Sequence, residues 1–169
     1  YFEVSDFDGY LRLLKLCTDL TGRADLYEQN GLDVRKQIDE AVEKARNRGT
    51  SPKVLYLRIS GSGVRAKNSK GTVLGQMLKS LGCVNIADTD KTLLEHLSME
   101  HIIMEDPDDI FVVQQGDDTD AAQAQLARFF EENPAWASLT AVQEGRVFQL
   151  DKHLYNLKPN ARWGEAYLK

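Results

Sequence analysis

Lys53-Val-Leu-Tyr-Leu-Arg-Ile59 is a short apolar run rich in branched and aromatic residues, and it breaks off in Ser60-Gly-Ser-Gly63. Such a run reads as a strand covered on both faces, the kind that fills a parallel sheet. Ile110-Phe-Val-Val113 repeats the pattern, and Gly145-Arg-Val-Phe-Gln-Leu150 supplies a third strand, with Val84-Asn-Ile-Ala87 as a shorter companion. The segments between them have helical spacing. Val73, Leu74, Met77, Leu78 and Leu81 share one side before Gly82. Ser98 caps a brief helix, Met99–Glu105, which Asp106-Pro107 must end. The acidic turn Gly116-Asp-Asp-Thr-Asp120 caps a helix bearing Leu126, Phe129 and Phe130, and Asn133-Pro134 stops it. Strands alternating with helices imply right-handed crossovers. The expected fold is therefore α/β: a three-layer, Rossmann-like lobe around a mainly parallel sheet of about four strands. Strands adjacent in sequence should run parallel.

Upstream of this unit the pattern changes. Two helices arrive before any strong strand, with only Tyr1–Ser5 as a truncated strand. Asp6 or Ser5 caps the first, whose Phe7, Tyr10, Leu11, Leu14, Cys17 and Thr18 recur at helical spacing until Thr21-Gly22. Val34, Ile38, Ala41, Val42 and Ala45 trace the inner face of the second. At the other end, Asn160–Lys169 reads as a closing helix.

Composition narrows the function. The chain has 169 residues, 42% apolar and 28% charged, which suits one globular domain. Acidic residues outnumber basic ones, 26 to 21, for a net charge of −5, which argues against a general nucleic-acid binder. No apolar run approaches the ~20 residues of a membrane span. Cys17 and Cys83 read as two small buried thiols. The histidines lack metal-ligand spacing, the acidic clusters lack the pattern of a calcium loop, and no nucleophile elbow appears. Gly61-Ser-Gly63 sits where a phosphate-binding turn would, but Ala66 occupies the third glycine position and Lys70 precedes Gly71. No cofactor, metal or catalytic set is expected, and the Ser60–Gly71 stretch reads as a flexible loop at the carboxyl edge of the sheet, where open α/β sheets hold ligands.

Basic residues gather at that edge. Arg58, Arg65, Lys67 and Lys70 lie in or beside the glycine-rich stretch, and His153, Tyr155, Lys158 and Arg162 follow the last strand. Parallel strands would release both segments at one edge, giving a positive rim suited to an anionic ligand. Arg58, Arg65, Lys67, Tyr155 and Lys158 are the candidate ligand contacts.

Five motifs in order carry a resemblance to a known family. They are Tyr10-Leu-Arg-Leu-Leu-Lys-Leu-Cys-Thr-Asp-Leu-Thr-Gly22, Pro52-Lys-Val-Leu-Tyr-Leu-Arg58, and Leu81-Gly-Cys-Val-Asn-Ile-Ala87, in which Cys83 replaces a glycine. The others are Leu97-Ser-Met-Glu-His-Ile-Ile103 with Asp106-Pro-Asp-Asp-Ile-Phe-Val112, and Trp136-Ala-Ser-Leu-Thr-Ala-Val-Gln-Glu-Gly-Arg-Val-Phe148. Together they resemble the C-terminal lobe of the extracytoplasmic solute-binding proteins that serve iron-siderophore, haem and cobalamin ABC importers. The resemblance implies a non-enzymatic role: capture of an iron chelate, haem or cobalamin and delivery to the permease's transmembrane subunits. It also implies a two-lobed whole, periplasmic or membrane-anchored as a lipoprotein. Residues 1–22 would then be the severed strand and interlobe connecting helix, and 23–169 the C-terminal ligand-binding lobe, with the N-terminal lobe outside this chain. Glu100 matches the family's exposed glutamate that docks into an arginine pocket of the permease. Without the resemblance, two alternatives stay open: a small doubly wound α/β enzyme binding a nucleotide or phosphorylated substrate, and a freestanding interaction domain.

Overall fold

The computed structural model describes residues 4–89 and 91–169. Asp6 starts helix α1 (Phe7–Thr21) by accepting a bond from the Gly9 amide at 2.8 Å. Then come α2 (Ala24–Tyr27), a π-turn over Glu28–Leu32 and α3 (Asp33–Asn47), which form one unbroken helical run. Gly31, inside the π-turn, lets α1 approach closely: a Cβ there would meet Leu11 Cδ1 at 2.8 Å.

Among the described residues the sheet has five strands. They are β1 (Lys53–Ser60), β2 (Gly63–Ala66), β3 (Val84–Asn85), β4 (Asp109–Gln114) and β5 (Val147–Leu150). β1, β4 and β5 are parallel neighbours, as their apolar runs imply, with Leu55 beside Ile110 and Ile110 beside Val147. The short β3 pairs in parallel with the start of β1. One expectation fails. β2 follows β1 directly and runs antiparallel to it, with Arg58 opposite Arg65 and Ser60 opposite Gly63. Much of the expected loop is thus a hairpin, because the free upper edge of β1 offers backbone partners to Gly63–Ala66.

Helices cover both faces, which makes the three layers. Val54, Tyr56 and Val113 face a cluster built with Phe7, Tyr10, Val34, Ile38, Leu74, Met77 and Trp163. This side holds α1, α3, α4 (Val73–Ser80), and further along the chain α9 (Lys152–Tyr155) and α10 (Trp163–Leu168). Leu55, Leu57, Ile59, Ile110 and Val112 face the second cluster, with Leu93, Ile102, Leu126 and Trp136. That side holds α5 (Lys91–His96), α6 (Met99–Glu105), α7 (Thr119–Glu132) and α8 (Thr140–Gln143). Each fully buried large side chain contributes roughly 1.5–3 kcal/mol relative to exposure. The alternation along β1 feeds both clusters at once, so this strand is the keel of the domain.

Two details differ from the sequence reading. Cys17 is exposed, because Leu13, Leu14, Leu16, Cys17 and Leu20 wrap more of α1 than one buried stripe can take; Leu20 itself is 79% exposed. Cys83 is half-buried, and burial, then Asp109, pushes its thiol pKa up. Tyr1–Glu3, part of the truncated strand expected at the start, lie outside the described residues. No described helix is long and apolar enough to cross a membrane.

Candidate functional site

Parallel strands β1, β4 and β5 release Ser60, Gln114 and Leu150 at one edge of the sheet. A depression of about 580 Å³ opens there, lined by Arg58, Arg65, Lys67, the Ser60–Gly63 turn and the Gln115–Asp118 segment. The hairpin register builds its cationic wall. Arg58 and Arg65 are direct cross-strand partners, and Lys67 donates its backbone N–H to the Tyr56 carbonyl at 2.9 Å. All three therefore stand on one face of the hairpin. Like charges directly opposite are unfavourable in a sheet. Their effect reaches Lys67, whose pKa is lowered first by burial and then by Arg58 and Arg65.

Among the described residues no carboxylate forms an ion pair with these three cations. The acids that line the depression are engaged elsewhere. Asp117 pairs with Lys152 at 2.6 Å, and Asp118 caps α7 by accepting from the Ala121 amide at 2.9 Å. The wall is also held rigidly from behind. The Asn85 side chain donates to the Lys67 carbonyl at 2.8 Å, and Asp88 accepts from the Ser69 amide at 2.6 Å. Gly75 lets α4 press on this segment, since a Cβ there would come within 2.7 Å of the Asn68 carbonyl oxygen. The stretch expected to be a flexible loop is thus a hairpin followed by a pinned segment.

Arg58 also borders a second depression, of about 300 Å³, with Val4, Ser5, Thr72, Asn156 and Lys158. Arg58, Arg65 and Lys67 are therefore brought together, and Lys158 joins them through Arg58. Tyr155 does not. It is 6% exposed, packed in the α1–α3 cluster, and its hydroxyl donates to the Ala166 carbonyl at 3.0 Å. Its phenol ties α9 to α10, which removes it from the candidate contacts. Arg162 pairs with Glu165 at 2.7 Å, and His153 and Lys70 are exposed.

Glu100 is exposed in the first turn of α6, after the Ser98 cap. Glu105, at the other end of α6, pairs with Lys53 at the start of β1 at 3.0 Å. The end of α6 therefore lies at the amino edge of the sheet, and Glu100 is displaced from it by most of the helix length.

Several site residues were not singled out from the sequence. Tyr56 lies beneath Arg58, and the alternation Val54, Tyr56, Arg58 along one strand face was the available signal. Asn85 and Asp88 act through contacts 18 and 19 residues away, which no local pattern shows.

A family model described as periplasmic binding protein matches residues 1–154. Among curated proteins, the chain is 26% identical over 157 residues to the iron-uptake system-binding protein of Bacillus subtilis (strain 168), covering 92% of this chain and 48% of that protein. It thus spans about half the length of this relative. Among solved structures, S. aureus IsdE complexed with heme superimposes with a TM-score of 0.83 at 17% identity, covering 99% of this chain and 64% of that one. The periplasmic heme-binding protein RhuT from Roseiflexus sp. RS-1 in apo form gives 0.75 at 22% identity, over 96% and 60%. At these identities the structural likeness concerns the fold.

Proposed function

The chain belongs to the periplasmic binding protein family, and from that premise we propose that it is the C-terminal lobe of an extracytoplasmic solute-binding protein for an anionic iron chelate. The single observation that carries this reading is the wall of Arg58, Arg65 and Lys67, three cations facing one another without a carboxylate partner among the described residues. A ligand bearing negative charge would relieve that repulsion, and each charged hydrogen bond to it would contribute about 1.5–3 kcal/mol. Ferric siderophores with net negative charge fit this chemistry, and so does haem through its propionates. Cobalamin, the remaining ligand of this class, offers the wall less charge. The names of the similar proteins, iron-uptake and heme-binding, point the same way.

Within the proposal, residues 1–22 connect to an N-terminal lobe that closes over the carboxyl edge of the sheet. The exposed Leu16, Cys17 and Leu20 on α1 support a further packing partner. In the whole protein, periplasmic or lipid-anchored, Glu100 would dock on the transmembrane subunits of an ABC permease.

Titration of the two-lobed protein with a ferric tris-catecholate and with haem tests the ligand class. Micromolar or tighter binding that weakens by roughly tenfold or more in Arg58→Ala is the expected result. Equal affinity for a neutral ferric hydroxamate, indifferent to Arg58→Ala, would remove the electrostatic basis of the reading. For the docking role, Glu100→Ala should leave ligand affinity unchanged and lower uptake in cells; normal uptake counts against it.

A further inference from the structure

Arg58 stands where its neighbours repel it, yet its guanidinium is held. The next residue on the same face of β1 is Tyr56, whose side chain is 0% exposed. Its hydroxyl accepts a hydrogen bond from Arg58 Nη2 at 3.1 Å, and the guanidinium carbon lies 5.9 Å from the ring centroid. Burial raises the phenol's pKa more than Arg58 lowers it, so the tether is a neutral acceptor. Arg58 Nε is buried and has no hydrogen-bond partner among the described residues. The guanidinium is thus fastened at one nitrogen and keeps donor capacity elsewhere, between the two depressions that it borders.

We propose that Tyr56 is a positioning residue for the anionic ligand: its buried hydroxyl fixes the Arg58 guanidinium against the repulsion of Arg65 and Lys67 and leaves the remaining Nη N–H groups for the ligand. The inference rests on Arg58 being a ligand contact. Its physical basis is preorganisation. An arginine has many rotamers, and a side chain already ordered in the free protein loses less entropy when ligand arrives. The three-carbon stem of an untethered arginine would carry the charge outward, away from Lys67, and the wall would lose its shape. Lysine in this place could not serve, because one ammonium cannot bond the phenol and present a planar donor edge at once.

The test is Tyr56→Phe in the two-lobed protein, which keeps the ring and removes one oxygen. With ferric tris-catecholate as the probe, affinity should fall about fivefold while the denaturation midpoint stays within a degree or two. In an Arg58→Ala background the same substitution should have no effect on affinity. A second readout needs no ligand: the Arg58 Nε–H resonance should exchange slowly with solvent in the wild type and broaden in Tyr56→Phe. An equal loss of affinity in both backgrounds, or an unchanged Nε–H resonance, overturns the positioning role. Loss with Arg58→Ala but none with Tyr56→Phe overturns the tether alone. Unchanged affinity in both variants removes the Arg58 contact, and the tether with it.

Discussion

The two edges of the sheet handle charge in opposite ways. At the amino edge, basic groups meet acidic ones. Lys53 pairs with Glu105 at 3.0 Å, Arg146 with Glu144 at 2.8 Å, and Asp106 accepts from the Thr140 hydroxyl and amide at 2.6 and 2.9 Å. At the carboxyl edge Lys152 meets Asp117 at 2.6 Å, but Arg58, Arg65 and Lys67 face each other across one hairpin with no acidic partner among the described residues. Both edges belong to the same strands, so the contrast does not follow from fold. A paired edge settles the apo lobe; an edge of like charges holds back interactions for something that arrives later. Under the proposed function, the ligand edge is the one that the local structure fails to neutralise.

The contrast breaks most sharply at Arg65. Arg65→Glu would place opposite charges in the cross-strand register, so the two-lobed protein should lose about 30-fold or more in affinity for ferric tris-catecholate. The same variant should melt slightly higher, since a repulsive pair becomes an attractive one worth roughly 0.2–1 kcal/mol. Titration and a thermal melt read both effects. Reduced stability with full affinity would show the wall to be an ordinary solvated surface.

Lys53→Ala examines the other edge. Its pair with Glu105 is partly exposed and screened, so the expected loss is about 0.5–1 kcal/mol in denaturant unfolding. Ligand affinity should not move. A change in affinity would mean that the two edges are coupled through β1.

A smaller effect is the pH dependence of each edge. The Lys67 pKa is lowered on folding, so the unfolded chain binds more protons between that value and the ordinary 10.5. Stability of the free lobe should therefore rise with pH through that alkaline window, and Lys67→Met should flatten the rise. Asp106 gives a slope of the same sign in the acid range, because its pKa is lowered too. The Thr140 hydroxyl and amide hold its carboxyl below the usual 3.8, so its contribution is complete above that value and is lost as pH falls through the depressed one. Asp106→Asn should blunt the acid side of the profile. Paired denaturation curves across the acid and alkaline ranges would read both rises.

These edges were legible in the sequence to different degrees. The parallel strands were plain, because Val54–Ile59 and Ile110–Val113 must be covered on two faces and few folds offer that. The cationic group was visible as basic residues in an acidic chain. The hairpin was not, since Gly63-Val-Arg-Ala66 is too short for its alternation to stand out, and its pairing comes from β1 instead of from itself. Tyr155 reads as a ligand contact because it follows the last strand at the carboxyl edge; the partner that turns it inward, the Ala166 carbonyl, lies 11 residues on. Cys17 was misread because leucines crowd α1 on more sides than it can bury.

The π-turn over Glu28–Leu32 gives the long helical run an unusual tolerance of gain and loss. A π-turn accommodates one residue more than the α-helix needs, so removing Gln29 would let an ordinary turn close there. Leu26 and Tyr27 before it, and Val34 and Ile38 after it, would keep their facing. Anywhere else along Asp33–Asn47 a single deletion would swing the following side chains by about 100° around the axis and carry apolar residues into water. The helix therefore has one place where its length can change by a residue while its phase does not.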